Sequence, residues 1–270
     1  MAEIKGGILR PSAAIEKDYI EAILPLVRRL CDETKRVMVR LFDTHALDAV
    51  TAAMDVNMGS QARIELNALL AKYEPLFNKW AKRATNRMIR RTLKHSEVTL
   101  GMSLREIAKD FTLNPALQQT PRMQEIITAA TQEATGLIKL IPQKYIADVQ
   151  GAVMRSITTG NGLKDLVPYL NEKYDGNIKH ARWVAMDQTR KTYSSVNAER
   201  LKANGIKEFI WLHVGGSQEP RKLHIEMSGN KYSFDDPPFI GRMYGKDVYG
   251  LPAQLPRCRC LARPVLNFGE

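Results

Sequence analysis

Four side chains toward the end of the chain have the types that metal or nucleophilic chemistry uses: His213, His224, Cys258 and Cys260. Imidazole nitrogen and thiolate sulfur are the donors zinc prefers, and a structural zinc site takes four of them in a tetrahedral array. Cys258-Arg259-Cys260 separates its sulfurs by a single residue, where knuckles commonly use two or more, so the spacing alone is a weak metal signal. The same four residues also read as packed or hydrogen-bonded members of a small compact domain. A cysteine nucleophile served by His224 as base is a third chemistry, but no orienting third group or oxyanion site is identifiable beside it. Asp235 and Asp236 offer carboxylates to a cation, yet Pro237 and Pro238 follow them, and turn or cap roles fit better. The chain has no phosphate-loop glycine pattern, no dinucleotide fingerprint and no HExxH.

A second group suits polyanions. Lys79, Lys82, Arg83, Arg87, Arg90, Arg91 and Lys94 follow one another with no acid between Glu74 and Glu97. At about 100° per residue, Lys79, Arg83, Arg87, Arg90 and Lys94 share one helix face, with Trp80, Ala84 and Met88 on its flank. Such a face can neutralise phosphates without reading sequence, meet an acidic protein, or simply face solvent. The whole chain has the same sign: 40 Lys plus Arg against 29 Asp plus Glu, a formal net charge of +11. An excess of that size favours polyanions or acidic partners.

These residues need elements to position them. With 270 residues, 44% of them hydrophobic, the chain has material for one large or two modest domains. Apolar residues recur at helical spacing over 12–57: Ile15, Tyr19, Ile23, Leu26, Val27, Leu30, Val37 and Leu41. Pro25 is expected to kink or divide this run, and Leu47 to Val56 is a further helical piece. A second helical stretch spans Ser60 to Leu93, with Pro75 near its middle. Ser103-Leu104-Arg105-Glu106 has capping-box spacing and predicts a short helix to Phe111. Asn114-Pro115 signals a turn. Thr120-Pro121 predicts an N-cap with proline at the first helical position, opening a helix to about Leu140. Pro142 is expected to start another, ending at Thr159-Gly160. Leu163 to Tyr174 reads as a short helix closed by Asp175-Gly176-Asn177, and Ile178 to Ala203 as a long one stopped by Asn204-Gly205. After Gly205 the texture changes. Glu208 to Val214, Lys231 to Phe234 and Ala262 to Leu266 read as short strands between proline and glycine loops. Gly215-Gly216, Gly229 and Gly250 suit tight turns. The expected fold is α+β: a mostly helical region over 1–177, then a small domain with short β-strands over 178–270.

Three cysteines and no secretory pattern around Glu3, Lys5 and Arg10 argue against a disulfide framework, and Cys31 falls in a helical apolar pattern as a small core residue. No apolar run is long enough to span a membrane, so no membrane partner is expected and the folded chain is expected in a cytoplasm.

Trp211, Arg221, His224, Gly229, Pro237, Pro238, Cys258-Arg259-Cys260 and Pro264 occur in an order and spacing that resembles the C-terminal domain of the phage Mu F-like head morphogenesis family. That family comprises minor head proteins of tailed phages. The preceding helix, with Asp187, Arg190 and Asn197, resembles the family's as well, with aspartate at position 187 where glutamate is common. The likeness covers roughly Lys179 to Phe268, and family members commonly carry a variable helical region before it.

The resemblance implies a virion component, not an enzyme. Such proteins are few per particle, lie inside the head near the portal vertex, and assist head assembly and DNA packaging or delivery. The partners it implies are the portal protein and the major capsid protein. The chain would reside in the host cytoplasm before assembly. Trp211, Arg221, His224, Cys258 and Cys260 would form the domain framework. Lys79, Arg83, Arg87, Arg90 and Lys94 would meet the portal or non-specific double-stranded DNA. No cofactor is required on this reading. Zinc on Cys258, Cys260, His224 and His213 is the alternative, as part of a zinc-stabilised DNA-binding module. A Cys/His hydrolase or transferase is the remaining one.

Overall fold

The computed structural model describes residues 3–51, 57–106, 120–215 and 219–267. Its elements in chain order are β1 (Glu3–Lys5), α1 (Ala13–Thr51), α2 (Met58–Arg105), α3 (Pro121–Thr159), α4 (Leu163–Ala203), β2 (Glu208–Leu212), α5 (Lys222–Glu226), β3 (Lys231–Ser233), β4 (Phe239–Met243), β5 (Lys246–Tyr249) and β6 (Leu261–Asn267). The fold is α+β, with long helices first and short antiparallel strands last, as the sequence pattern implies. No helix among the described residues is long and apolar enough to cross a membrane.

The helices are longer than the proline pattern predicts. Pro25, Pro75 and Pro142 lie inside α1, α2 and α3 without ending them, and α4 runs through Pro168 and Asp175-Gly176-Asn177. A proline inside a helix costs about 3 kcal/mol, and a glycine about 1. Buried neighbours outweigh them: Leu24 and Leu26 flank Pro25, Tyr73 and Phe77 flank Pro75, Ile141 and Tyr145 flank Pro142, and Leu166 and Leu170 flank Pro168. Each such side chain contributes roughly 1.5–3 kcal/mol on burial. Pro25, Pro75 and Pro168 are themselves exposed, so water can reach the carbonyls they leave unbonded. Ser103 is no helix start. It sits in the last turn of α2 and its Oγ donates to the Gly7 carbonyl at 2.7 Å. The rest of that expected helix, the Asn114-Pro115 turn, Gly216 and positions 52–56 of the piece expected to end at Val56 lie outside the described residues.

The local termination signals fit. Thr120 Oγ1 accepts the Met123 N–H at 3.0 Å, the N-cap expected ahead of Pro121. Gly160 closes α3 at φ 72°. Gly205 (φ 80°) ends α4 in a Schellman motif: Ile206 N–H donates to the Leu201 carbonyl and Gly205 N–H to that of Lys202, both at 2.9 Å.

Two compact units are assembled from alternating segments. One, whose described elements are all helices, comprises Tyr19–Thr85 and Glu133–Val184. Leu30, Met38, Leu66, Tyr73, Phe77 and Tyr145 are buried in it. The other comprises Met1–Asp18, Asn86–Gln132 and Ala185–Glu270 and contains every strand. Its sheet has the order β1-β6-β2-β3, all antiparallel, with Trp211 opposite Ala262 and Phe209 opposite Pro264. A separate hairpin, β4-β5, turns through Tyr244 and Gly245, both at positive φ (51° and 77°), the geometry a two-residue hairpin turn requires. The core of this unit gathers Leu100 and Leu104 of α2, Tyr193 and Leu201 of α4, Phe209 and Trp211 of β2, and Ile240, Cys258 and Cys260.

Candidate functional site

The sheet-bearing unit brings together most of what the sequence singled out. β2 carries Trp211, which is fully buried, and its backbone is pinned to the loop beyond α5. Trp211 N–H donates to the Asn230 carbonyl at 2.9 Å, and Gly229 N–H to the Trp211 carbonyl at 2.8 Å, with Gly229 at φ 90°. α5 is a single turn that presents His224 inward. Arg221 precedes it: its carbonyl accepts the His224 and Ile225 N–H groups, and its Nη2 donates to the Pro256 carbonyl at 2.9 Å. Arg221 thus ties α5 to the loop that carries the cysteines.

That loop is also fixed by α4. Both carboxylate oxygens of Asp187 accept the Arg257 backbone N–H at 3.0 Å, and Ser194 Oγ donates to the Pro252 carbonyl at 2.6 Å. Burial raises the Asp187 pKa, opposed by that hydrogen bond and by the charge of Arg190. Arg257 adopts φ 60°, which turns the chain into Cys258. From there the backbone alternates: Cys258 and Cys260 are buried and Arg259 between them is exposed. Both sulfurs lie on the same side of the chain, toward His224.

The result is a compact cluster. His224 Nδ1 lies 3.5 Å from Cys258 Sγ and 3.6 Å from Cys260 Sγ. His224 Nε2 is 2.9 Å from the Ile240 carbonyl, and the Trp211 ring meets the imidazole edge-on at 5.1 Å. His213, partly exposed, has its Nδ1 3.7 Å from Cys260 Sγ. The hydrogen bond from Cys260 pushes the Cys258 thiol well down against its burial, and the same bond pushes Cys260 up. For His224, burial alone would lower the pKa. Hydrogen bonds to Cys258 and to the Ile240 carbonyl, with the Cys258 charge, raise it instead.

A Cys/His pair of this kind has nucleophilic potential but poor access. His224, Cys258 and Cys260 are only 2%, 4% and 3% exposed. A neighbouring cleft of about 270 Å³ is lined by Cys260, Arg190, Tyr193, Leu201, Leu251 and Arg259 among others, but not by Cys258 or His224. Asp235 and Asp236 take the turn role: their N–H groups donate to Ser233 Oγ, and Asp235 pairs with Lys202 at 2.7 Å.

The basic face is a separate feature. Lys79, Arg83, Arg87, Arg90 and Lys94 are all exposed on α2, while Ala84 and Met88 of the flank are buried and Trp80 is 48% exposed. Arg91, next to that face, pairs instead with Asp18.

Sequence reasoning missed a polar network behind the cluster. Arg190 of α4 makes a two-pronged bond to Glu16 of α1 at 2.7 and 3.1 Å. Buried Arg200 donates to the Leu93 carbonyl and to Ser96 Oγ, and Ser96 donates to Asn197 Oδ1 at 2.7 Å. Arg190 and Asn197 carried a signal in the family likeness. Glu16, Ser96 and Arg200 carried none, because each looks like an ordinary polar helix residue until its distant partner is known.

Comparison with known proteins agrees with the motif. Residues 147–263 match the family model described as Phage Mu protein F like protein. A protein of Haemophilus influenzae described as uncharacterized is 29% identical over 158 residues, which is 58% of this chain and 33% of that protein. The chain thus spans about a third of the length of the curated relative it matches. No solved structure matches the chain.

Proposed function

We propose that this chain is a minor head protein of a tailed phage, portal-associated and inside the capsid, assisting head morphogenesis and DNA packaging or delivery. The observation that carries this is the Mu F-like segment over 147–263, whose Trp211, His224, Cys258 and Cys260 make one buried framework. A framework this closed suits a rigid assembly module better than a catalyst. The exposed surface then does the binding. Lys79, Arg83, Arg87, Arg90 and Lys94 would contact an acidic portal surface or packaged double-stranded DNA, with the major capsid protein as a further partner.

Quantitative mass spectrometry of purified particles tests this reading. The expected result is a few copies per particle, in fixed ratio to the portal protein. Absence from particles that are fully packed and infectious would overturn it. The DNA and portal versions separate in solution. DNA binding through the basic face would weaken steeply with salt and show little sequence preference. Salt-insensitive or absent DNA binding, with retained binding to purified portal, would leave the portal version standing alone.

A further inference from the structure

We propose that His224, Cys258 and Cys260 hold a structural divalent metal of the zinc class, with His213 as the fourth ligand. The three inner ligand atoms lie within 4.8 Å of one another and all three residues are buried. Their separations fit a tetrahedral ion. Zn–S and Zn–N bonds of about 2.3 and 2.0 Å at a tetrahedral angle give N···S edges of about 3.5 Å. The His224 Nδ1 edges to Cys258 and Cys260 are 3.5 and 3.6 Å.

The surroundings provide an independent argument. A metal-bound histidine donates its other ring N–H to a carbonyl or carboxylate, which fixes the tautomer and frees the ligating nitrogen. His224 Nε2 meets the Ile240 carbonyl at 2.9 Å, leaving Nδ1 toward the sulfurs. Both sulfurs are ringed by donors. Backbone N–H groups of Cys260 and Ala253 serve Cys258, and the Val214 N–H serves Cys260. Trp211 Nε1 is buried without a hydrogen-bond partner. Donors of this number suit two thiolates, and two adjacent buried thiolates need a cation between them. His213 Nδ1, 3.7 Å from Cys260 Sγ, is one tetrahedral edge away, and its partly exposed ring can swing inward to close the site. The Cys-X-Cys spacing that weakened the signal in sequence follows the turn at Arg257 and places both sulfurs against His224 Nδ1.

The test is cobalt(II) titration of the purified, reduced, full-length chain after chelator treatment, with zinc added back in competition. The proposal expects one equivalent of cobalt, thiolate-to-cobalt charge-transfer absorption, intense tetrahedral visible bands, and displacement by zinc. His213→Ala keeps the inner three ligands, so it should still bind, with altered visible bands and affinity at least about 10-fold weaker, since even partners outside the ligand set are worth that much. Unchanged bands in His213→Ala would overturn its place as fourth ligand. Cys258→Ser should lose the charge-transfer absorption, and a circular dichroism spectrum of the same sample shows whether the variant has folded. Should it not fold, the wild-type titration decides. A wild-type chain with reduced thiols that takes up no cobalt, and contains no zinc as purified, would overturn the site.

Discussion

Cys31 and the Cys258–Cys260 pair are about equally buried, yet their chemical surroundings are opposite. Cys31, 1% exposed in the helical unit, has Asn177 Nδ2 at 3.8 Å and Tyr145 nearby. Burial dominates there and pushes its thiol up to about 11. The pair in the sheet-bearing unit has an imidazole and several N–H donors directed at it, and one of its sulfurs is pushed down. Burial alone makes a cysteine a small hydrophobe; burial with donors makes it a ligand or a nucleophile. The difference also explains how each unit holds together. The helical unit relies on apolar side chains strong enough to carry helices past four prolines and a glycine, whereas the sheet-bearing unit adds to its apolar core a wide polar network joining distant segments.

The largest expected effect tests the framework. Trp211→Ala should destabilise the chain by about 3–5 kcal/mol in urea unfolding, because it removes a fully buried ring and its edge contact with His224. A loss below 1 kcal/mol would mean that the framework is not what holds the sheet-bearing unit.

Next comes the network. Glu16→Ala leaves Arg190 without its two-pronged partner in a site where the two side chains are 10% and 17% exposed, and should cost about 3 kcal/mol by the same measurement. Cys31→Ala should cost only about 1 kcal/mol, since a small apolar residue replaces one that acts as such. If Cys31→Ala were the more damaging of the two, the contrast between the units would be wrong.

A smaller effect is pH-dependent. Hydrogen bonds from Lys72 and Tyr73 hold the Glu33 carboxyl below its ordinary value of 4.5. A depressed carboxylate stabilises the fold above its unfolded pKa, and that contribution disappears as pH falls through the folded value. Glu33→Gln should therefore reduce stability at neutral pH by no more than about 1 kcal/mol, because Lys72 is half exposed, and the gap to wild type should close in acid. A gap that widens in acid would contradict the assignment.

The smallest stability effect belongs to the basic face. Arg83→Glu, Arg87→Glu and Arg90→Glu should each change stability by less than about 0.5 kcal/mol, since all three are exposed. Together they should abolish salt-sensitive DNA binding or portal binding. Thermal melts beside a binding titration separate the two readouts.

Local signals were legible in the sequence and long-range ones were not. Thr120-Pro121 and Asn204-Gly205 mark helix ends through their own backbone chemistry, and the structure has both. β2, β3 and β6 were visible as β-rich runs among turn residues. β1 was not, because three residues become a strand only by pairing with β6, more than 250 positions later. The β4–β5 hairpin was hidden by a Tyr244-Gly245 turn in place of the usual asparagine or aspartate before glycine. Prolines misled because an expectation based on one residue cannot weigh the buried neighbours that hold both sides of the helix. The residue types of the cluster were plain. Their convergence depended on Asp187, Arg221 and Arg257 holding a loop, which composition does not reveal.

The most direct measurement of the central claim is a reconstruction of the particle without imposed high symmetry. Density for this chain, few in copy and beside the portal vertex inside the head, with the basic face of α2 toward the portal or the DNA, is the predicted result. A chain distributed over the capsid lattice, or missing from the packaged head, would contradict it.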